Sequence, residues 1–316
     1  MEEAFWYEEH NCYWGIAADI EGHPYDDLKR SESNPGKISV SYGGVGRNIT
    51  ENLARMGAGV SFVSAAGNDF VGRMAVQELA ALGVGVENIH LIEDENTAMY
   101  LSILNNVGDM ELALCNMDVL ERISVDIINQ AMPLLQSSKM VAMDANLTED
   151  VQLYIMDKLQ GIPLFLDPVS APKAERSKKY IGRFHTIKPN IGEAEVLSGI
   201  EITDEKSLAK AGAYFITRGV KQVFITLNAR GVYYKDTREE GILRLWDCIS
   251  IVSATGAGDA FSAAIIDSFI RGKNIAETSF YGMAAAQVAM QTKTAVNPQM
   301  CMRKIEEKIN MVSKTI

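Results

Sequence analysis

Thr255-Gly-Ala-Gly-Asp-Ala-Phe-Ser-Ala-Ala-Ile-Ile266 begins as a turn of small residues and continues as an apolar helix. The free N–H groups of a helix start, together with its positive end, make such a turn an anion site. Asp259 falls in the first helical turn, and two readings are open for it. As a plain helix-start acid it favours the positive end. Beside a bound phosphate it is repulsive unless it has work, such as taking a proton from an attacking hydroxyl.

Upstream of this turn, strand-like and helix-like stretches alternate. Apolar, β-branched runs fall at about 13–20, 59–66, 139–146, 162–169, 184–190 and 222–228. Helical patterns lie at about 48–56, 71–82, 124–135, 148–159, 193–198 and 207–218, and three more close the chain: 258–271, 275–291 and one after Pro298. This alternation predicts a mostly parallel sheet with helices on both faces, an α/β fold of three layers. Two regions break the rhythm. Ile38, Val40 and Tyr42 alternate with polar residues, as do Met99, Leu101 and Ile103, then Met110, Leu112 and Leu114 across the turn Asn106-Val-Gly-Asp109. Period-two stretches without helices predict antiparallel strands with one wet face. We read 20–42 and 97–116 as one small sheet inserted into a single large domain spanning 1–316, a candidate lid. The other reading makes them edge strands of the main sheet.

Three further stretches carry chemistry-bearing residues. Gly43-Gly-Val-Gly-Arg-Asn48 lies between a lid-like strand and a helix. Glycines there permit close backbone approach to a ligand, and Asn48 can cap the helix or bind hydroxyls. Lys188-Pro-Asn-Ile-Gly-Glu193 follows a strand and opens a helix. Asn190 and Glu193 suit a capping arrangement or a place near metal-bound phosphate. Asp19, read as ending the first strand, can accept two hydroxyl protons from a vicinal diol. The patterns G-x-x-x-x-G-K-[S/T] and G-x-G-x-x-G are both missing, so neither a P-loop nor a Rossmann dinucleotide site is supported.

Composition narrows the function classes. With 316 residues the chain has room for about two domains or one large domain with an insert. Asp and Glu number 41 against 30 Lys and Arg, a net charge of -11, which argues against holding a nucleic acid polymer by bulk charge. No apolar run approaches the roughly 18 residues of a membrane span, and the acidic start lacks a secretion pattern, so a cytoplasmic protein is expected. Cys12, Cys115, Cys248 and Cys301 form no C-x-x-C pair, and we expect reduced, mostly buried thiols.

Taken together, the motifs resemble the ribokinase-like (PfkB) carbohydrate kinases. Gly43-Gly44, Asn48, Thr50, Gly57 and Gly67 match the spacing of that family's first signature, and Ser253 to Asp259 fits the second. Gly67-Asn-Asp-Phe-Val-Gly72 and Lys188-Pro-Asn190 to Glu193 fall in the expected order between them. The resemblance runs from about Cys12 to the C-terminus. Within the family, Ser33 to Lys37, Glu95 to Thr97, Asp167-Pro-Val-Ser-Ala171 and His185 to Asn190 are most similar to the pseudouridine kinases. The resemblance implies transfer of the γ-phosphoryl of ATP to the 5′-hydroxyl of a nucleoside, pseudouridine, with Mg²⁺. It implies Asp259 as the base, with amides of Gly256, Ala257 and Gly258 as the anion hole. It places Asp19, Gly43, Gly44 and Asn48 on the acceptor and Asn190, Asn228, Gly231 and Thr255 around the nucleotide. Glu193 would serve the metal, and the lid could pair with a second copy. Three departures stand out. Ser253-Ala254 replaces the family's Asp-Thr, which leaves use of K⁺ open. Asn228 replaces a glycine, though Asn tolerates left-handed backbone. Ala17 replaces an Asn near the acceptor. Hence two alternatives remain: a family kinase for another nucleoside or sugar, or a catalytically weak binding protein on the same fold.

Overall fold

The computed structural model describes residues 10–13, 15–244 and 251–313. In chain order the strands are β1 (His10–Tyr13), β2 (Ala17–Pro24), β3 (Gly36–Gly43), β4 (Val60–Gly67), β5 (Gly85–Ile92), β6 (Ala98–Leu104), β7 (Met110–Asn116), β8 (Met140–Asp144), β9 (Leu164–Asp167), β10 (Thr186–Ile187), β11 (Gln222–Thr226), β12 (Val232–Lys235) and β13 (Glu240–Leu243). The helices are α1 (Val45–Arg55), α2 (Phe70–Ala81), α3 (Val125–Gln136), α4 (Glu149–Lys158), α5 (Ala171–Ala174), α6 (Ile191–Ser198), α7 (Glu205–Arg218), α8 (Ala257–Ile270), α9 (Ile275–Ala289) and α10 (Met302–Ser313).

Nine strands form the central sheet in the order β13-β12-β11-β10-β9-β8-β1-β4-β5. All neighbours from β11 to β5 run parallel, and β12 and β13 add an antiparallel edge. Side-chain alternation divides the interior into two cores. Val141, Met143, Leu164 and Leu166 join residues of α3, α4, α6 and α7, while Met140, Ala142 and Phe165 join those of α1, α2, α8, α9 and α10. A parallel sheet buried on both faces needs apolar residues at both alternations, which is why β4 is buried throughout. The chain thus forms the expected ribokinase-like three-layer α/β/α fold with a small separate sheet.

That second sheet has the order β3-β2-β6-β7. β6 pairs β7 antiparallel across the turn, as the period-two pattern predicts, and β2 pairs β3 antiparallel, a partner not expected for residues read as part of a core strand. At its centre the expectation fails, because β2 and β6 run parallel from Ala17 beside Ala98. Both strands leave the central domain at the same end, so they must point the same way. The expected wet face also needs correction. Ile20, Leu101 and Leu114 align with Val40, and Ile103 and Leu112 align with Ile38 across Gly22. This apolar face is open at both edges: Ile38 is 78% and Val40 58% exposed, and Leu112 and Leu114 are 58% and 62% exposed.

Other boundaries shift. The expected strand 13–20 is two strands in two sheets, β1 ending at Tyr13 and β2 starting at Ala17. Asp19 therefore lies inside the small sheet rather than at the end of a core strand. The expected strand 184–190 shrinks to Thr186–Ile187, since Pro189 has no N–H to give a ladder. β5 and the β12–β13 hairpin are additional. Cys115 is exposed and Cys301 half-buried, against the expectation of mostly buried thiols; the side chains of Cys12 and Cys248 lie outside the described residues.

Candidate active site

Strands β8 and β9 end side by side, with Asp144 and Asp167 as register partners. The carboxyl ends of parallel strands are where open α/β folds place ligands. Opposite them begins α8, and the turn before it is forced by backbone geometry. Gly256 has φ 76°, and a Cβ there would collide with the Ala295 carbonyl oxygen. Only glycine fits that position. The Ala257 N–H turns back toward the Ala254 oxygen at 3.3 Å, so the open donors concentrate on the residues just after it.

Asp259 stands in the first turn of α8, partly exposed. Asn48 on α1 donates its side-chain N–H to Asp259 Oδ2 at 2.8 Å. Asn48 is buried, and its Oδ1 has no partner among the described residues, so one acceptor atom is left over at this junction. Burial raises the Asp259 carboxyl to about 7, helped by Asp167 and Asp144 and opposed by the Asn48 bond and the Lys188 charge. A carboxyl poised near neutrality beside helix-start amides can take a proton from a hydroxyl while the turn holds an anion.

Lys188 and Asp167 were quoted in the motifs above without roles. Lys188 Nζ pairs with Asp167 Oδ2 at 2.9 Å and reaches the Gly258 oxygen at 3.4 Å. Asp167 also accepts from Ser262 Oγ at 2.8 Å and from the Val169 N–H at 3.1 Å. Burial pulls the Lys188 ammonium down, yet Asp167, Glu193 and Asp259 together hold it above its ordinary value. The signal that could have found Asp144 and Asp167 is their place at two strand ends. That the lysine sits between Asp167 and α8 is a tertiary fact.

Asn190 and Glu193 form the capping box of α6. Asn190 Oδ1 accepts from the Glu193 N–H at 2.9 Å, and Glu193 returns one oxygen to the Asn190 N–H and the other to its side-chain amide, each at 2.8 Å. Burial, then Asp167, raises the Glu193 carboxyl, and Lys188 opposes. A cavity of about 430 Å³ opens between these groups, lined by Asp259, Gly258, Glu193, Asn190, Asn228 and Gly231 among others. Asn228 adopts φ 54°, which explains how it serves where glycine is usual. Gly231 (φ 106°) cannot carry a Cβ, which would strike the Leu243 oxygen. Thr255 is exposed, outside the cavity wall, with its N–H on Ser253 Oγ at 3.2 Å.

Asp19 is reached by a second path. Gly43 has no Cβ because the Asp19 carboxylate fills that space, and Gly44 (φ 99°) sits against the Gly15 oxygen. The Gly44 oxygen then accepts the Asn48 N–H at 2.9 Å. Burial, with Glu21, raises the Asp19 carboxyl, and Arg47 opposes. Thus Asp19, Gly43, Gly44, Asn48 and Asp259 form one continuous chain of contacts.

Residues 8–300 match the sequence profile of the pfkB family carbohydrate kinases. The chain belongs to that family. It is 33% identical over 282 residues to the pseudouridine kinase of Escherichia coli (strain K12), covering 89% of this chain and 90% of that one. The crystal structure of a putative sugar kinase from Clostridium perfringens superposes with TM-score 0.88 at 30% identity, covering 96% of each chain. Arabidopsis thaliana ribokinase, solved with ribose and ATP, shares the fold with TM-score 0.82 at 20% identity, covering 96% of this chain and 98% of that one. No helix among the described residues is long and apolar enough to cross a membrane.

Proposed function

We propose that this kinase transfers the γ-phosphoryl group of ATP to the 5′-hydroxyl of pseudouridine, giving pseudouridine 5′-phosphate and ADP. The observation that carries the reading is Asp259 at the mouth of α8, oriented by Asn48 and joined through Gly44 and Gly43 to Asp19. The pseudouridine kinase relative supports the acceptor, and the ATP-bound ribokinase sharing the fold supports the donor.

Asp259 takes the proton as the 5′-oxygen attacks the γ-phosphorus and the bond to the bridging oxygen of ADP breaks. The open amides just after Ala257, that of Gly258 first among them, hold the charge that develops on the phosphoryl oxygens. Asp19 and the Asn48 oxygen hold ribosyl hydroxyls. Asn228, Gly231 and Asn190 line the nucleotide. The small sheet acts as a lid that keeps water, the competing acceptor, out.

The donor set fits a hard cation carried on the phosphates. Both Glu193 oxygens are engaged by Asn190, and among the described residues no three carboxylate, His or Cys groups converge into a cage. Mg²⁺ binds in that way through one or two carboxylates while keeping its waters, and it would neutralise phosphate charge. Glu193 and Asp167, which line the cavity, would supply its protein oxygen donors. We also propose that the apolar outer face of the lid pairs with a second copy of the chain.

Phosphorus and proton NMR of the product tests the reaction: phosphate coupled to the 5′ methylene protons of pseudouridine supports it. Phosphate on another sugar carbon overturns the acceptor geometry. A second reading, another nucleoside or sugar as acceptor, is favoured by Ala17, whose small buried side chain offers no polar group.

A further inference from the structure

Arg47 is adjacent to Asn48 on α1 and has no part in the chemistry above. A guanidinium is expensive to bury unless its donors are met. Its side chain is only 5% exposed, and its partners come from three elements. Nη1 donates to the Tyr42 carbonyl of β3 at 2.9 Å and pairs with Glu51 of α1 at 2.8 Å. Nη2 reaches Glu78 of α2 at 3.2 Å. The guanidinium carbon also lies 5.8 Å from the centre of the Tyr42 ring, within cation–π range. Nε is buried without a partner among the described residues, so the side chain is held by its two terminal nitrogens.

Tyr42 is a telling residue to hold. It pairs with Ala18, one position before Asp19, and it precedes Gly43, on which the Asp19 carboxylate rests. Arg47 is also the positive charge that opposes burial and Glu21 at Asp19. Its neighbour Asn48 holds Asp259. One helical turn therefore grips the root of the small sheet with one side chain and the candidate base with the next.

We propose that Arg47 is a positioning residue for the acceptor: it pins the end of β3 to α1 and α2, and so fixes the turn against which Asp19 binds the ribosyl hydroxyls. This rests on reading Asp19 as an acceptor-holding group. The planar two-pronged fork is what the position uses, because it must serve a carbonyl and two carboxylates at once. A lysine keeps the charge but supplies a point rather than a fork.

The test uses the full chain with Arg47→Lys and Arg47→Ala, followed by thermal unfolding and initial rates with acceptor and ATP varied separately. For Arg47→Lys the expectation is a KM for the acceptor raised about tenfold or more, with the KM for ATP within about twofold and kcat within about threefold. Arg47→Ala should raise the acceptor KM further. A merely structural residue would not produce that split. Equal changes in both KM values, or an unchanged acceptor KM, would overturn the proposal. If only Arg47→Ala fails to fold, the lysine variant decides. If both fail, Arg47 is a folding residue and the proposal falls. A wild-type chain that turns over no nucleoside or sugar removes the Asp19 reading, and this proposal with it.

Discussion

Asp259 is pushed toward its protonated form by burial and by two neighbouring carboxylates, and pulled back by the Asn48 amide and Lys188. The balance near 7 has a catalytic sign. A base works only when deprotonated, so turnover should fall as pH drops through about 7, roughly tenfold per unit on the acid side. Asp259→Asn should retain ATP binding and lose about 10²–10⁴-fold or more in turnover. Isothermal titration with ATP, beside steady-state rates across pH, reads both effects. Near-normal turnover in that variant would remove Asp259 from the chemistry. At Asp19 the effect should fall on the acceptor alone. Asp19→Ala should raise the acceptor KM well above any change for ATP, and equal losses would indicate misfolding instead. At this scale Asp259 was legible as a small-residue turn opening a helix. The pairing of Lys188 with Asp167 was not, because a charge network at strand ends is assembled by residues far apart in sequence.

The element that matters most is the start of α8. Its Gly256 combines a positive φ with a carbonyl oxygen where a Cβ would stand. Left-handed backbone costs a non-glycine residue about 1–2 kcal/mol, and the collision with Ala295 adds to it. Gly256→Ala should therefore destabilise by about 2 kcal/mol or more and displace the anion turn. Differential scanning calorimetry with and without ATP should show a lower Tm and a smaller ATP-dependent rise. An unchanged Tm and rise would mean that the turn tolerates a side chain. Long periodic helices were read to within a few residues, since an amphipathic repeat must match the face it buries. Errors gathered where periodicity is short. The run 13–20 contains Gly15, where the chain leaves the central sheet for the other, and nothing local in an apolar run announces that change of sheet. The parallel pairing of β2 with β6 was hidden for the same reason, since each segment by itself looks like half of a hairpin.

Across the whole molecule, the small sheet presents opposite characters on its two faces. Asp19, Ser39 and Ser41 alternate with Ile20, Ile38 and Val40 along paired strands, so one face is polar and the other apolar. The polar face carries the candidate acceptor carboxylate. The apolar face is open, with edges at β3 and β7 that no described strand pairs, which is the kind of surface that a second copy covers. Val40→Glu combined with Leu114→Glu should lower the mass measured by multi-angle light scattering from dimer to monomer. A wild-type chain that is monomeric at micromolar concentration would contradict the pairing. The three-layer architecture was readable because strands and helices alternate for most of the chain. The outward direction of the apolar face was not, because period two says that the faces differ and not which one meets water.

The measurement that bears most directly on the central claim is ADP release by the wild-type chain with ATP and Mg²⁺. The acceptors are pseudouridine, uridine, adenosine, ribose and fructose, each over a range of concentrations. Pseudouridine should give a kcat/KM well above those of the other four. A higher value for another acceptor would contradict the assignment of pseudouridine, and no turnover with any of the five would contradict the reading of this site as a nucleoside kinase.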